Sequence, residues 1–231
     1  MTGTVILITG ANRVGIGKGL VSAYLARANT TVIATVRDVS AKHSIDLGFI
    51  EKGSGSELII LSLSVDIPST IADAILRLRT HHHIERIDLV ISNAGICNHW
   101  GRLIDLDDME LHFHLETNAV GPLRLFRATS PFLERSIQPK FVYISSEVGS
   151  IARVQQSSLT TAYGVSKAAG NYLIKKIDAE HPNLIAFCVD PGFVQTDMGN
   201  RGAQLYGLLQ ATMTVAESVQ AIVKQVGTQY H

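Results

Sequence analysis

Tyr163 and Lys167 stand four residues apart in the segment YGVSK, a spacing that on a helix puts both side chains on one face, within reach of each other. A tyrosine ionises near pH 10, so work as an acid or base near neutrality needs its pKa lowered by about three, roughly 4 kcal/mol. One ammonium ~4 Å away in an effective dielectric of ~20 supplies about 4 kcal/mol. Lys167 is therefore expected to provide a large share, although a tyrosine and a lysine at this spacing are also common by chance. A second constellation, TGANRVGIG at residues 9–17, holds three glycines around an arginine and suggests backbone wrapped around phosphate. Gly10 and Gly15 have the gap of the GxxxxGK[ST] loop, but Ile16 and Gly17 occupy the places of its Lys and its Ser or Thr. No frame of the segment gives G-x-G-x-x-G either.

These groups need a scaffold that carries the glycine segment and the tyrosine to one place. Strands are predicted at residues 4–9, 30–36, 57–63, 87–92, 140–145 and 184–189. Helical period runs through GKGLVSAYLARA, STIADAILRLRTHHH, DMELHFHLETNAV and TAYGVSKAAGNYLIKKIDAE. The strands read as continuous apolar runs, the pattern of a parallel sheet buried on both faces by helices. The expected fold class is α/β: a single Rossmann-type doubly wound parallel sheet of six strands with helices on both faces. At 231 residues the chain fits one domain, residues 1–231, with a substantial core. EKGSGSE has the length of a connection, not of a domain linker.

Twenty basic and twenty acidic residues cancel, which removes any global field for nucleic acid or an anionic membrane. Apolar runs such as ELIILSL fall far below the ~18 residues of a membrane span. Cys97 and Cys188 show neither framework nor metal spacing, so a reduced, cytoplasmic protein is expected.

In an open α/β sheet, ligands bind beyond the carboxyl ends of the strands, where strand order reverses. The residues just past the predicted strands are Gly10 to Gly17, then Arg37 and Asp38, Asp66, Asn93 to Gly95, Ser146, and Pro191 with Gly192. Turns are polar in any protein, which is the bland reading of each one alone. All six together are harder to dismiss.

TGANRVGIG, NAG at residues 93–95, Asn118 in a helix, ISS ending at Ser146, YGVSK, and DPGFVQTDM at residues 190–198 occur in the order seen in short-chain dehydrogenases/reductases. The resemblance runs from Thr4 to about Val226, and it looks strongest toward fungal ketoreductases related to norsolorinic acid reductase and, beyond them, carbonyl reductases. It implies that Tyr163 donates a proton to a substrate carbonyl oxygen, that Ser146 orients that oxygen, and that Lys167 holds the nicotinamide ribose while tuning Tyr163. A positively charged nicotinamide ring would add to that tuning. Gly10, Gly15 and Gly17, with Asn12, Arg13 and Ile16 in the same loop, would meet the pyrophosphate at a helix N-terminus. Asp66 would contact adenine, and Asn93, with Ala94 and Gly95, would line the adenosine side. Thr196, beyond Pro191, Gly192 and Val194, would fix the carboxamide.

Asn118 carries an argument of its own. Pro122, four residues on, has no N–H and pushes the carbonyl of residue 118 away, so an interior carbonyl is left free. One reading is a plain helix kink. The resemblance supplies another, in which that carbonyl holds a water relaying protons through Lys167 to Tyr163. Other features read as structural: His81 to His83 end a predicted helix where imidazolium suits the dipole, His112 and His114 are surface or satisfied polar groups, and Cys188 is core. Trp100, Phe193, Leu205, Tyr206 and Leu209 are expected over the nicotinamide end as a lid favouring an apolar or aromatic carbonyl compound. Ordinary packing or a partner surface explains any one of them as well.

Cofactor choice is legible at the second strand. An acidic residue at its end selects NAD, and a nearby arginine accommodates the 2′-phosphate of NADP. In TTVIATVRD the usual acidic position falls on Thr35. Arg37 follows, and Arg13 can reach the same spot, so NADPH is expected over NADH. A register error of a residue or two would place Asp38 on the ribose and reverse this.

Two features depart from the family. Four residues, Ala11 to Val14, separate the first two glycines where three are usual: the extra residue either bulges outward harmlessly or displaces the phosphate donors. The sequence also ends at His231, where relatives continue into one more strand, so six strands with an exposed edge, or a truncated chain, are expected. Helices carrying Asn118 and Tyr163 form a dimer interface in many relatives, and the small residues of SKAAGNYLI predict a homodimer; against this, Ala168, Ala169 and Gly170 could pack on their own sheet. The main expectation is metal-free, NADPH-dependent reduction of a ketone or aldehyde. The competing one is a regulatory or scaffold protein that binds the dinucleotide without turnover.

Overall fold

The computed structural model describes residues 3–11 and 15–229. Six strands, β1 (Thr4–Thr9), β2 (Thr30–Val36), β3 (Glu57–Ser62), β4 (Leu89–Ser92), β5 (Lys140–Ile144) and β6 (Ile185–Val189), form one sheet in the order β3-β2-β1-β4-β5-β6. All pairings are parallel. The chain steps outward from β1 to β3, then returns to the far side of β1 with β4. Strand order therefore reverses between β1 and β4, where the crevice of a doubly wound sheet opens.

Among the described residues eight α-helices occur, α1 (Ile16–Leu25), α2 (Lys42–Ile45), α3 (Pro68–Thr80), α4 (Asp108–Leu115), α5 (Gly121–Leu133), α6 (Thr161–Glu180), α7 (Asp197–Leu205) and α8 (Val215–Thr228), of which α1, α3, α5, α6 and α8 pack on the sheet. The uninterrupted apolar runs have a direct cause. Side chains alternate across a strand, so Val5 and Leu7 enter a core shared with α3, α5 and α6, while Ile6 and Ile8 enter a second core shared with α1 and α8. Both faces are dry, and no strand position of β1 past Thr4 tolerates a polar group unless it is paired. Thr9 shows the exception at the rim, where its hydroxyl accepts from the backbone N–H groups of Asn93 and Ala94, both at 3.0 Å.

β3, β5 and β6 are each one residue shorter than expected, and two further expectations fail in detail. The helical pattern at residues 108–120 is not one helix: α4 stops at Leu115, a π-helical turn spans Glu116–Val120, and α5 starts at Gly121. Pro122 is the cause, because a proline cannot supply the interior N–H and its ring needs room that a wider turn provides. β4 begins at Leu89, later than predicted, since Asp88 uses its carboxylate to accept from Val5 N at 2.9 Å and pairs with Arg86.

Candidate active site

Every predicted site residue within the described segments, Asn118 excepted, lines one cavity of about 620 Å³ on the carboxyl rim of the sheet. Asn12 and Arg13 lie outside the described residues. The elements meet there because of the topology: the glycine loop follows β1, Arg37 follows β2, Asn93 to Gly95 follow β4, Ser146 follows β5, and Pro191 and Gly192 follow β6.

Glycine is required at the loop for steric reasons. Gly10 has φ +69°, and a Cβ there would sit 2.9 Å from Ala94 Cα. A Cβ on Gly17 would lie 2.2 Å from the Gly10 carbonyl oxygen and 2.7 Å from Asn93 Nδ2. Gly15 precedes α1 as its N-cap, and among the described residues no side chain caps that helix, which leaves its first backbone N–H groups open to an anion. Asn93 does more than line the cavity. Its Nδ2 donates to Thr9 O at 2.9 Å and Gly10 O at 3.2 Å, so its amide stitches the end of β4 to the glycine loop. The described glycines thus keep side chains away from the rim where the N-terminus of α1 meets the cavity.

The cofactor-choice positions resolve by register. Thr35 is buried within β2 and does not line the cavity, so the acidic-position argument does not apply to its side chain. Arg37, the first residue past the strand, does line it. Asp38 does not; its carboxylate accepts from Ser40 N at 2.8 Å and Ser40 Oγ at 2.6 Å, closing a local turn. Those bonds hold the Asp38 carboxyl below its ordinary range.

Past β5, Ser145 and Ser146 make different contacts. Ser145 Oγ donates to Asn171 on α6, whereas Ser146 Oγ accepts from Val148 N at 3.4 Å and lines the cavity together with Tyr163. Burial drives the Tyr163 hydroxyl well above its ordinary pKa, with Cys97 adding to the effect and the polar Ser146 side chain partly opposing it. Lys167 Nζ lies 5.5 Å from the Tyr163 ring centroid and donates to Ile144 O at 2.7 Å. Burial pushes that lysine down to about 7. The expected lowering of Tyr163 by Lys167 is not found: desolvation dominates the shift and the phenol stays protonated.

Asn118 is buried behind the cavity. Its side chain accepts from Ile96 N and donates to Ile96 O, both at 2.9 Å, and donates to Ser166 Oγ at 2.9 Å. The carbonyl that Pro122 releases is not left free, which corrects the expectation: Tyr143 Oη donates to it at 2.7 Å. Tyr143 is fully buried on β5, its ring lies 4.5 Å from Lys167 Nζ, and Gly170 on α6 makes room for it, because a Cβ there would sit 2.6 Å from the Tyr143 oxygen. The sequence reading missed this residue. Its signal was a lone hydroxyl in the buried run FVYI, which had to find a partner.

The far end of the cavity is lined by Trp100, Phe193 and Tyr206. Tyr206 Oη ties α7 to the facing loop through Ser157 O and Leu159 N, each at 3.3 Å. Leu205 and Leu209 are not part of it; both are exposed outside the lining. His114 is fully buried and satisfied, with Nδ1 against Glu110 O at 2.7 Å and Nε2 accepting from Asn98 N at 3.1 Å, so it anchors the loop that carries Trp100. His112 is exposed. Cys188 packs against the core on β6.

The family model described as short chain dehydrogenase matches residues 4–206. The chain belongs to the short-chain dehydrogenase family. This dehydrogenase is 39% identical over 227 residues to norsolorinic acid ketoreductase nor1 of Dothistroma septosporum, covering 96% of this chain and 84% of that one. It is 40% identical over 229 residues to the short chain dehydrogenase gsfK of Penicillium aethiopicum, with 96% and 90% covered. Among solved structures, an NADPH-bound carbonyl reductase from chicken fatty liver superposes with a TM-score of 0.85 at 28% identity, covering 98% of this dehydrogenase and 88% of that chain. The expected likeness to fungal ketoreductases and carbonyl reductases holds, and so does the Rossmann-type sheet.

Proposed function

We propose that this dehydrogenase, read as one catalytic domain over residues 1–231, reduces a ketone or aldehyde to the alcohol with NADPH. The observation that carries the reading is the convergence of Ser146, Tyr163 and Lys167 on the cavity whose other end is the glycine cradle. When bound, NADPH supplies the hydride. Gly10, Gly15, Ile16 and Gly17 would hold its pyrophosphate, Asp66 and Asn93 to Gly95 its adenosine, and Pro191, Gly192, Val194 and Thr196 its carboxamide end. Arg37 would take the 2′-phosphate, supported by the withdrawal of Asp38 into its own turn and by the NADPH in the chicken carbonyl reductase.

Tyr163 acts as the acid. Its burial keeps the phenol protonated at neutral pH, the form that reduction needs, and Ser146 donates a hydrogen bond to the same carbonyl oxygen. Negative charge developing on that oxygen is thus met by two hydroxyl donors in a desolvated site. Lys167 holds the ribose and, as an ammonium, stabilises the phenolate that Tyr163 becomes after giving up its proton. Asn118 works through position: it fixes Ile96 in the cavity wall and α6 through Ser166. No metal takes part in this chemistry.

The same reading includes a homodimer, supported by apolar side chains left exposed on two packed helices, Met109 on α4 and Val165 and Tyr172 on α6. Gly170 is not available to it, since it packs on Tyr143. A cytoplasmic location is supported by the free Cys97 and Cys188; among the described residues no helix is long and apolar enough to cross a membrane.

The test is NADPH consumption, followed by absorbance, across a broad panel of aromatic and aliphatic ketones and aldehydes. Turnover of at least one aromatic ketone is expected. Protein that binds NADPH and reduces nothing on the panel would instead be a dinucleotide-sensing scaffold.

A further inference from the structure

Among the described residues, three cationic side chains line the cavity: Arg37, Lys167 and Arg201. The proposed function assigns work to the first two and none to Arg201. This residue sits on α7 with its guanidinium 5.5 Å from the centroid of the Trp100 ring. Its Nε donates to Asp197 O at 3.3 Å, one turn back on its own helix. No carboxylate among the described residues forms an ion pair with it, Asp197 included. The two terminal nitrogens of the guanidinium thus remain available, and a guanidinium presents them as a planar fork suited to two oxygens.

The surroundings set what those nitrogens meet. Trp100, Phe113, Phe193 and Tyr206 make this end of the cavity aromatic. Cys97 and Lys167 line the same cavity as Arg201, so a ligand at the arginine shares one continuous space with the lysine. A cation among aromatic walls gains most from a ligand that brings its own anionic oxygen, because charge-assisted hydrogen bonds are about twice as strong as neutral ones. A flat aromatic body would fill the remaining walls.

We propose that Arg201 reads the substrate, which is an aromatic ketone bearing an anionic oxygen, carboxylate or ionised phenol, set apart from the carbonyl to be reduced. This rests on the ketoreductase reading above, and it names the substrate class for that same site.

Trp100 is the only tryptophan in the chain and stacks on Arg201, so its fluorescence reports binding at this end without turnover. The probes are para-acetylbenzoate and its methyl ester, with para-hydroxyacetophenone above its phenol pKa and its methyl ether as the second pair. Each is titrated against the enzyme saturated with oxidised cofactor, then assayed for kcat/KM with NADPH. Wild-type enzyme is expected to bind each anionic probe more tightly than its neutral partner. Arg201→Met should shrink that preference roughly 10- to 100-fold, carried by KM in turnover, and Arg201→Lys should restore part of it. NADPH affinity, measured in parallel, certifies the fold of each variant. An anion-to-ester binding ratio unchanged by Arg201→Met overturns the proposal whatever the turnover. A ratio that collapses as predicted, in a wild type that reduces no probe, upholds the anion site and overturns the ketoreductase reading instead. Preference for one pair alone identifies carboxylate or phenolate as the oxygen.

Discussion

Lys167 imposes a cost on the fold that can be measured without any substrate. Its ammonium is buried and its pKa falls from the usual 10.5 to about 7. The folded value is depressed, so between pH 7 and 10.5 the unfolded chain binds the extra proton. Stability therefore rises with pH across that window and is lost as pH falls toward 7. At 1.36 kcal/mol per pKa unit, the full window is worth roughly 5 kcal/mol, of which about 2 kcal/mol falls between pH 7 and pH 9. Lys167→Met keeps the unbranched stem and removes the titration. It also removes the bond to Ile144 O, worth about 1 kcal/mol, and the contact with the Tyr143 ring. The variant should thus be more stable than wild type at pH 7 by roughly 3 kcal/mol, with the gap narrowing by about 2 kcal/mol at pH 9. Urea unfolding of the reduced, unliganded protein at pH 7, 8 and 9 reads both quantities. A variant less stable at pH 7, or a gap that does not change with pH, would show that Ile144 O and Tyr143 fully compensate the buried charge, and the argument from desolvation would fall.

Arg37→Ala should weaken NADPH by about 1.5 to 3 kcal/mol, the range for hydrogen bonds to a charged group, and leave NADH nearly unchanged. Fluorescence titration with both cofactors decides it, and equal losses would remove Arg37 from the 2′-phosphate. Tyr143→Phe strands the buried Asn118 carbonyl and should destabilise the protein by about 1 to 3 kcal/mol; an unshifted urea midpoint would mean the bond contributes nothing. Gly17→Ala drives a methyl against the Gly10 carbonyl oxygen, so the variant should lose NADPH affinity and about 1 to 3 kcal/mol of stability. Unaltered NADPH titration would show that the loop yields without harm.

Most of the sheet was legible because burial on both faces writes itself as unbroken apolar runs: β1 and β2 occupy the predicted residues to the residue, and α6 matches its helical pattern end to end. The rim residues were legible for the same reason, since a strand in a two-sided sheet has to change character where it leaves the core. What period alone could not carry was the consequence of a proline. It predicted a free carbonyl at Asn118, and it could not predict that a π turn would form or that Tyr143, distant in sequence, would supply the missing donor. The pairwise estimate for Tyr163 failed for a related reason. It counted one attractive charge and had no measure of desolvation, which depends on every element packed around the phenol. The split between Ser145 and Ser146 was reachable only through the family pattern, because two adjacent serines after a strand differ in nothing but where the chain turns next.

The central claim is that Tyr163 delivers the proton in an NADPH-dependent carbonyl reduction, and the most direct test is Tyr163→Phe assayed beside wild type for NADPH affinity and for kcat on whichever aromatic ketone the wild type turns over. Removing one hydroxyl leaves the ring in its place, so NADPH affinity is expected to change by less than about twofold, while kcat drops by roughly 100- to 10,000-fold, the range for loss of a general acid. A variant that keeps wild-type kcat, or that loses NADPH affinity in proportion to its activity, would contradict the account.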